Sequence, residues 1–166
     1  LAMLDWSVDQ KEHPVMILIP GNQVTYREAD KDFNRLNHFK VEEAGEKVAI
    51  LALGDFYQRG EQLSAKIKAE LGFTPTLINP RFASGIDKEL LESLSERHQM
   101  VITMEDGILS GGFGEKIASF YGSSDMKVKN YGLEKKFYDR YDPNELLKEV
   151  GMTPAQIIAD ICNQIK

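Results

Sequence analysis

Two acidic residues, Glu105 and Asp106, directly follow an apolar run at residues 100–104. In open α/β sheets, ligands and contacts gather at the carboxyl ends of strands. Paired carboxylates there could do acid/base work or grip the N–H groups of a neighbouring domain, and Asp106 could equally cap a helix. Further on, Gly111-Gly112-Phe113-Gly114 lies between that strand and a predicted helix, where free backbone N–H groups could hold an anion. The G-x-G-x-x-G spacing is missing, which favours close helix–sheet packing over a ligand. Arg81 ends another strand and could hold a phosphate or carboxylate, or simply join a surface ion pair.

The remaining reactive side chains are scattered. His98 falls on the apolar stripe of a helix predicted over 87–99 and reads as a half-buried structural residue. His13 precedes a proline, and His38 sits in a polar stretch. No second histidine or cysteine stands three or four residues from any of them, so no metal site is expected. The lone cysteine, Cys162, lies between Ile161 and Ile165 and reads as a core filler. The chain contains no Walker loop, no H-E-x-x-H and no G-x-S-x-G, and its spacing assembles no nucleophile–base pair.

These residues are carried by a regular rhythm of elements. Residues 1–12 read as a helix ended by His13-Pro14, since the residue before a proline avoids helical angles. Residues 15–19 form a β-rich run stopped by Pro20-Gly21-Asn22. Residues 25–38 are polar and charged and read as a connector between domains. A short strand at 39–43 and a turn at Gly45-Glu46 lead into 47–53, whose unbroken apolar run predicts a strand buried on both faces. A helix follows over 57–71, with Leu63, Ile67 and Leu71 as its stripe and Gly72 as its cap. Strands at 75–79, 100–104 and 126–130 alternate with helices at 87–99 and 111–121. Two capped helices close the chain: Asp142-Pro143-Asn144-Glu145 opens one, Gly151 stops it, and Thr153-Pro154-Ala155-Gln156 opens the other.

Strands alternating with helices predict a three-layer α/β/α fold with a mixed five-stranded sheet, mostly parallel with one antiparallel strand. The link between 39–43 and 47–53 is too short for a crossover helix, so those two strands are expected to pair antiparallel.

Composition sets the frame. The 166 residues are 42% hydrophobic and 28% charged, enough apolar material for a core and too much for disorder. The net charge of −6 disfavours nucleic-acid backbones and anionic membrane surfaces as partners. One cysteine excludes an intrachain disulfide and fits a reducing, cytoplasmic setting. No apolar run approaches the roughly 20 residues that span a bilayer. The chain begins at Leu1 with an amphipathic stretch already under way, and we expect a piece of a longer polypeptide.

From Lys47 onward the order of small motifs becomes familiar. It comprises VAILALG at 48–54, Asn79-Pro80-Arg81-Phe82, Ile86-Asp87, Arg97-His98, and the strand 101–104 with Glu105-Asp106. Leu109-Ser110-Gly111-Gly112-Phe113-Gly114, Gly132-Leu133, Phe137-Tyr138 and Gly151-Met152 follow. The succession resembles the C-terminal domain of the 1-deoxy-D-xylulose-5-phosphate synthases, transketolase-like thiamine diphosphate enzymes. The resemblance implies a transketolase C-terminal-like domain at 39–166, the end of a pyrimidine-binding domain at 1–24, and a connector at 25–38. It also implies a parent that decarboxylates pyruvate and joins the two-carbon unit to glyceraldehyde 3-phosphate. Thiamine diphosphate and Mg²⁺ would be held by upstream domains of the same polypeptide in a homodimer, with no cofactor in this chain. On that reading Arg81, Glu105, Asp106, Gly111, Gly112 and Gly114 are domain-interface or anion-binding residues, and none is catalytic.

Three positions depart from the family pattern. Ile19-Pro20-Gly21-Asn22 lacks the basic residue that family members carry there, Ala83-Ser84-Gly85 replaces a lysine–proline pair, and Glu105-Asp106-Gly107 replaces two acids and an asparagine. The alternatives are a transketolase-like or 2-oxoacid dehydrogenase-type relative with another substrate, and a free-standing anion-binding α/β module.

Overall fold

The computed structural model describes residues 2–19 and 35–165. The predicted turn at 20–22 and most of the connector lie outside them. Among the described residues, α1 spans Ala2–Asp9, shorter than the helix expected over 1–12. The run 15–19 pairs with no strand, and Met16, Leu18 and Ile19 stand exposed. Its β-forming composition finds no sheet edge among the described residues, and a strand needs one.

The rest is a five-stranded sheet between helices. The strands are β1 (Lys40–Glu43), β2 (Lys47–Ala52), β3 (Thr76–Asn79), β4 (His98–Ile108) and β5 (Lys127–Leu133). Their order is β1-β3-β2-β4-β5, and only β1 runs antiparallel. This is the three-layer α/β/α arrangement expected from the sequence. The pairing of β1 differs, because it lies against β3 rather than β2.

The link 44–46 steps over the start of β3. Gly45 N–H donates to Thr76 Oγ1 at 2.8 Å, and Glu46 N–H to the Thr74 carbonyl at 2.9 Å. Two strand spacings amount to about 10 Å, within reach of a short link extending roughly 3.3–3.6 Å per residue. A Cβ on Gly45 would fall 2.1 Å from the Thr74 carbonyl oxygen, so only glycine passes there.

Strand β2 shows why the apolar run must be continuous. Val48, Ile50 and Ala52 face one layer, with α2 (Tyr57–Leu71) and α6 (Pro154–Gln164), while Ala49 and Leu51 face the other, with α3 (Lys88–Leu94) and α4 (Phe113–Tyr121). Leu63 and Ile67 of α2 and Ile157 and Ile161 of α6 are wholly buried, each stabilising the fold by about 1.5–3 kcal/mol. Gly72 ends α2 at φ 75°, as its position predicts. Asp142 caps α5 (Pro143–Glu149), and Thr153 with Gln156 forms a capping box on α6. Cys162, expected in the core, lies exposed on the outer face of α6.

Helix α3 is shorter than the predicted 87–99, because His98 and Gln99 belong to β4. His98 pairs with Lys47 across the parallel ladder. Its Nδ1 lies 2.9 Å from the Leu94 carbonyl and its Nε2 2.7 Å from Thr76 Oγ1. The Leu94 carbonyl can only accept, so Nδ1 carries the proton; in the neutral ring Nε2 then accepts from the Thr76 hydroxyl, which itself accepts from Gly45 N–H.

Burial, only partly opposed by the bond to Leu94, holds His98 below its ordinary value of 6.5. The unfolded chain therefore takes up this proton at a higher pH than the folded one. Its contribution to stability is complete above about pH 6.5 and is lost as the pH falls through the lower folded value. Urea unfolding at pH 7.5 and 5.5 should show the native chain losing more stability on acidification than His98→Asn does.

Candidate functional site

The carboxyl end of β4 is where the sequence placed its chemistry. Glu105, only 5% exposed, turns its side chain to the start of α4. Its Oε2 accepts Phe113 N–H at 2.9 Å and its Oε1 accepts Gly114 N–H at 2.8 Å. Gly112 N–H donates to the Leu109 carbonyl at 3.0 Å, and Gly111 N–H to the Glu115 carboxylate. All four amides of Gly111-Gly112-Phe113-Gly114 thus have partners within the chain. The position an anion would take is filled by the carboxylate of Glu105, which satisfies two of the orphan donors of the first turn and sits at the positive end of the helix.

The glycines make that approach possible. A Cβ on Gly114 would lie 2.5 Å from Thr103 Oγ1 and 2.8 Å from Asn130 Cγ, and one on Gly112 would lie 2.7 Å from Glu105 Oε2. Close packing is the reading the geometry supports for this motif. Gly111 alone serves a different purpose, turning the chain at φ 77° with open space around it.

The neighbouring acid is separate. Asp106 stands at the surface and caps no helix, the capping role falling to Glu105. Partial burial raises its carboxyl above the ordinary value, the charge of Asp55 adds to the rise, and Arg59 opposes it. Asp55 follows β2, so two acids from adjacent strand ends face one arginine; nothing in their spacing along the chain signalled this.

Arg81 lies away from both acids, at the end of β3. Its Nε and an Nη both donate to the His38 carbonyl, at 3.2 and 2.8 Å. A buried acid that the helix-start signal alone marked, Asp87, lies close by. Its Oδ1 accepts Leu90 N–H at 3.1 Å, while its Oδ2 accepts Phe39 N–H at 2.9 Å and lies 2.9 Å from His38 Nδ1.

Beside β5 an open groove of ≈ 470 Å³ is lined by Lys129, Tyr131, Glu134, Lys136, Glu149 and Asp160. Its charges are paired. Lys129 Nζ lies 3.7 Å from Asp160 Oδ2, Lys136 Nζ 3.4 Å from Glu149 Oε1, and the Tyr131 hydroxyl donates to Asp160 at 2.7 Å. Burial pushes the Tyr131 phenol well up, and its bond to Asp160 adds to the shift. Among the described residues, no group of three or more His, Cys, Asp or Glu could hold a metal ion. No helix among them is long and apolar enough to cross a membrane.

The five-stranded mixed sheet between helices is a three-layer α/β/α domain. The family model of the transketolase C-terminal domain matches residues 37–157, and the chain belongs to that family. It is 31% identical over 159 residues to a 1-deoxy-D-xylulose-5-phosphate synthase of Shouchella clausii, covering 93% of this chain and 25% of that protein. A Prochlorococcus marinus synthase is 28% identical over 157 residues, covering 92% of this chain and 24% of its own length. The chain thus spans about a quarter of the length of these curated relatives. Among solved structures, an inactive β4 tetramer of a split-gene transketolase shares the fold. Its TM-score is 0.70 at 22% identity, over 82% of this chain and 45% of that one. A transketolase from Campylobacter jejuni gives a TM-score of 0.51 at 19% identity, over 76% of this chain and 18% of that one.

Removing the Glu105 carboxylate should leave two buried N–H groups without acceptors. We expect Glu105→Ala to lose about 2–4 kcal/mol of unfolding free energy in urea, and Glu105→Gln, which keeps one acceptor oxygen, roughly half of that.

Proposed function

We propose that this chain is the carboxyl-terminal domain of a thiamine diphosphate-dependent transferase of the 1-deoxy-D-xylulose-5-phosphate synthase type. Residues 39–166 form the domain, 25–38 the connector, and 1–24 the end of the preceding pyrimidine-binding domain. The observation that carries the reading is the 31% identity to such a synthase over 93% of the chain, well past the span 37–157. The exposure of Val8 in α1 and of Met16, Leu18 and Ile19 after it supports the reading, since exposed large apolar side chains fit against another body.

The parent reaction removes carbon dioxide from pyruvate and joins the remaining two-carbon unit to glyceraldehyde 3-phosphate. Thiamine diphosphate supplies the electron sink for such a step, with Mg²⁺ on its diphosphate. The described residues do not fit either group. The amides at Gly111–Gly114 that could cradle a diphosphate serve Glu105, Glu115 and Leu109, and no acidic cluster could hold the ion. Both would be bound by upstream domains of the same polypeptide, in a cytoplasmic homodimer. This domain supports that assembly and shapes its surroundings.

The test is carbon dioxide release from pyruvate by the longer protein, with and without glyceraldehyde 3-phosphate, at saturating thiamine diphosphate and Mg²⁺. We expect release that depends on the acceptor, and no binding of thiamine diphosphate by residues 1–166 alone in calorimetry. Activity on ketose phosphates in place of pyruvate would move the parent to a transketolase-type reaction.

A further inference from the structure

We propose that loop 80–87 is the surface on which this domain holds the chain that precedes it, with Arg81 as the positioning residue. The inference deepens the reading above and rests on it for what lies upstream.

The contacts converge on one loop from two directions. From the segment just before β1, His38 gives its carbonyl to two donors of the Arg81 guanidinium. Asn37 accepts from Ser84 Oγ at 2.9 Å, and Phe39 N–H and His38 Nδ1 both reach Asp87. From the far N-terminus, the ring of Trp6 in α1 meets Phe82 edge-on, with centroids 5.7 Å apart. Phe82 and Arg81 are adjacent, so α1 and the entering segment land on the same turn of chain.

That turn is built to stay in place. Lys116 of α4 donates to the Ala83 carbonyl at 2.8 Å and ties the loop to that helix. Arg81 adopts φ 61° and Asn37 φ 59°, left-handed conformations that are uncommon for an arginine and persist only where surrounding contacts impose them. Gly85 lies against the Asn37 side chain, where a Cβ would fall 2.2 Å from Nδ2 and displace the amide. Two donors of one planar guanidinium on the His38 carbonyl hold the entering backbone more firmly than a lysine's point charge would.

Arg81→Gly separates positioning from folding, because it removes the guanidinium and at the same time relieves the left-handed strain. In the full 166-residue chain, amide exchange at His38 and Phe39 should quicken by about tenfold, while β2 and β4 amides keep their native rates. Trp6, the sole tryptophan, should become more accessible to acrylamide quenching. Phe82→Leu, which keeps apolar bulk but loses the ring edge, should raise Trp6 quenching and leave Phe39 exchange unchanged. Unaltered exchange and quenching in Arg81→Gly would overturn the proposal, and so would equal acceleration in β2 and β4. Unaltered Trp6 quenching in Phe82→Leu would remove α1 from the surface. A longer protein that releases no carbon dioxide would overturn the activity proposed above and leave these exchange results standing.

Discussion

The bond pattern around Glu105 fixes how the end of β4 meets the helix that follows it. A carboxylate taken out of water is costly unless its oxygens are fully engaged. Here each oxygen takes one backbone N–H from the first turn of α4, where the helix already favours negative charge. The arrangement ties the end of β4 to the start of the next helix and demands close approach from every neighbour. Glycines therefore stand at 112 and 114, and also at 132, where a Cβ would lie 3.3 Å from Glu105 Cγ and 2.9 Å from Leu109 Cδ2.

A consequence follows for the place where α/β sheets usually bind ligands. The crevice at the strands' carboxyl ends works when helix N-termini keep donors free. In this chain the N–H groups from Gly111 to Gly114 are engaged from within, so the fold keeps its frame while the Glu105 side chain occupies the place of a ligand. Fold and function separate at this point: the frame is kept and the ligand's place is taken by a side chain.

Much of the architecture was legible because it rests on local signals. The apolar run of β2 can only be a strand buried on both faces, and Gly72, Asp142 and Thr153 mark helix ends through chemistry confined to a few residues. What misled was non-local. The short link after β1 suggests a hairpin, yet β3, some thirty residues away, inserts between the two strands and leaves β1 antiparallel at the edge. His98 follows the helical spacing of Leu91 and Leu94, but pairing with Lys47 draws it into β4. Cys162 sits within an isoleucine stripe whose geometry turns it outward. At the site, the sequence marked Glu105 and Gly111–Gly114 as residues that matter. Whether the glycines hold a ligand or a carboxylate depends on where a backbone turn aims, which no spacing encodes.

Asp87 and Glu105 show one device used twice. Among the described residues they are the two buried carboxylates, and each accepts two backbone N–H groups, at least one from the first turn of a helix. Glu105 directs its second bond inward to the same turn and closes the sheet's end. Asp87 directs its second bond to Phe39, at the point where the chain enters the domain, and draws His38 with it. Ionised groups inside a protein are free for chemistry only if some of their bonding capacity is left for a substrate. Here every carboxylate oxygen already accepts a backbone N–H, so the two buried acids define where the domain's own chain is held. Asp106 and Asp55, by contrast, are exposed, and Arg59 offsets the effect of the Asp55 charge on Asp106.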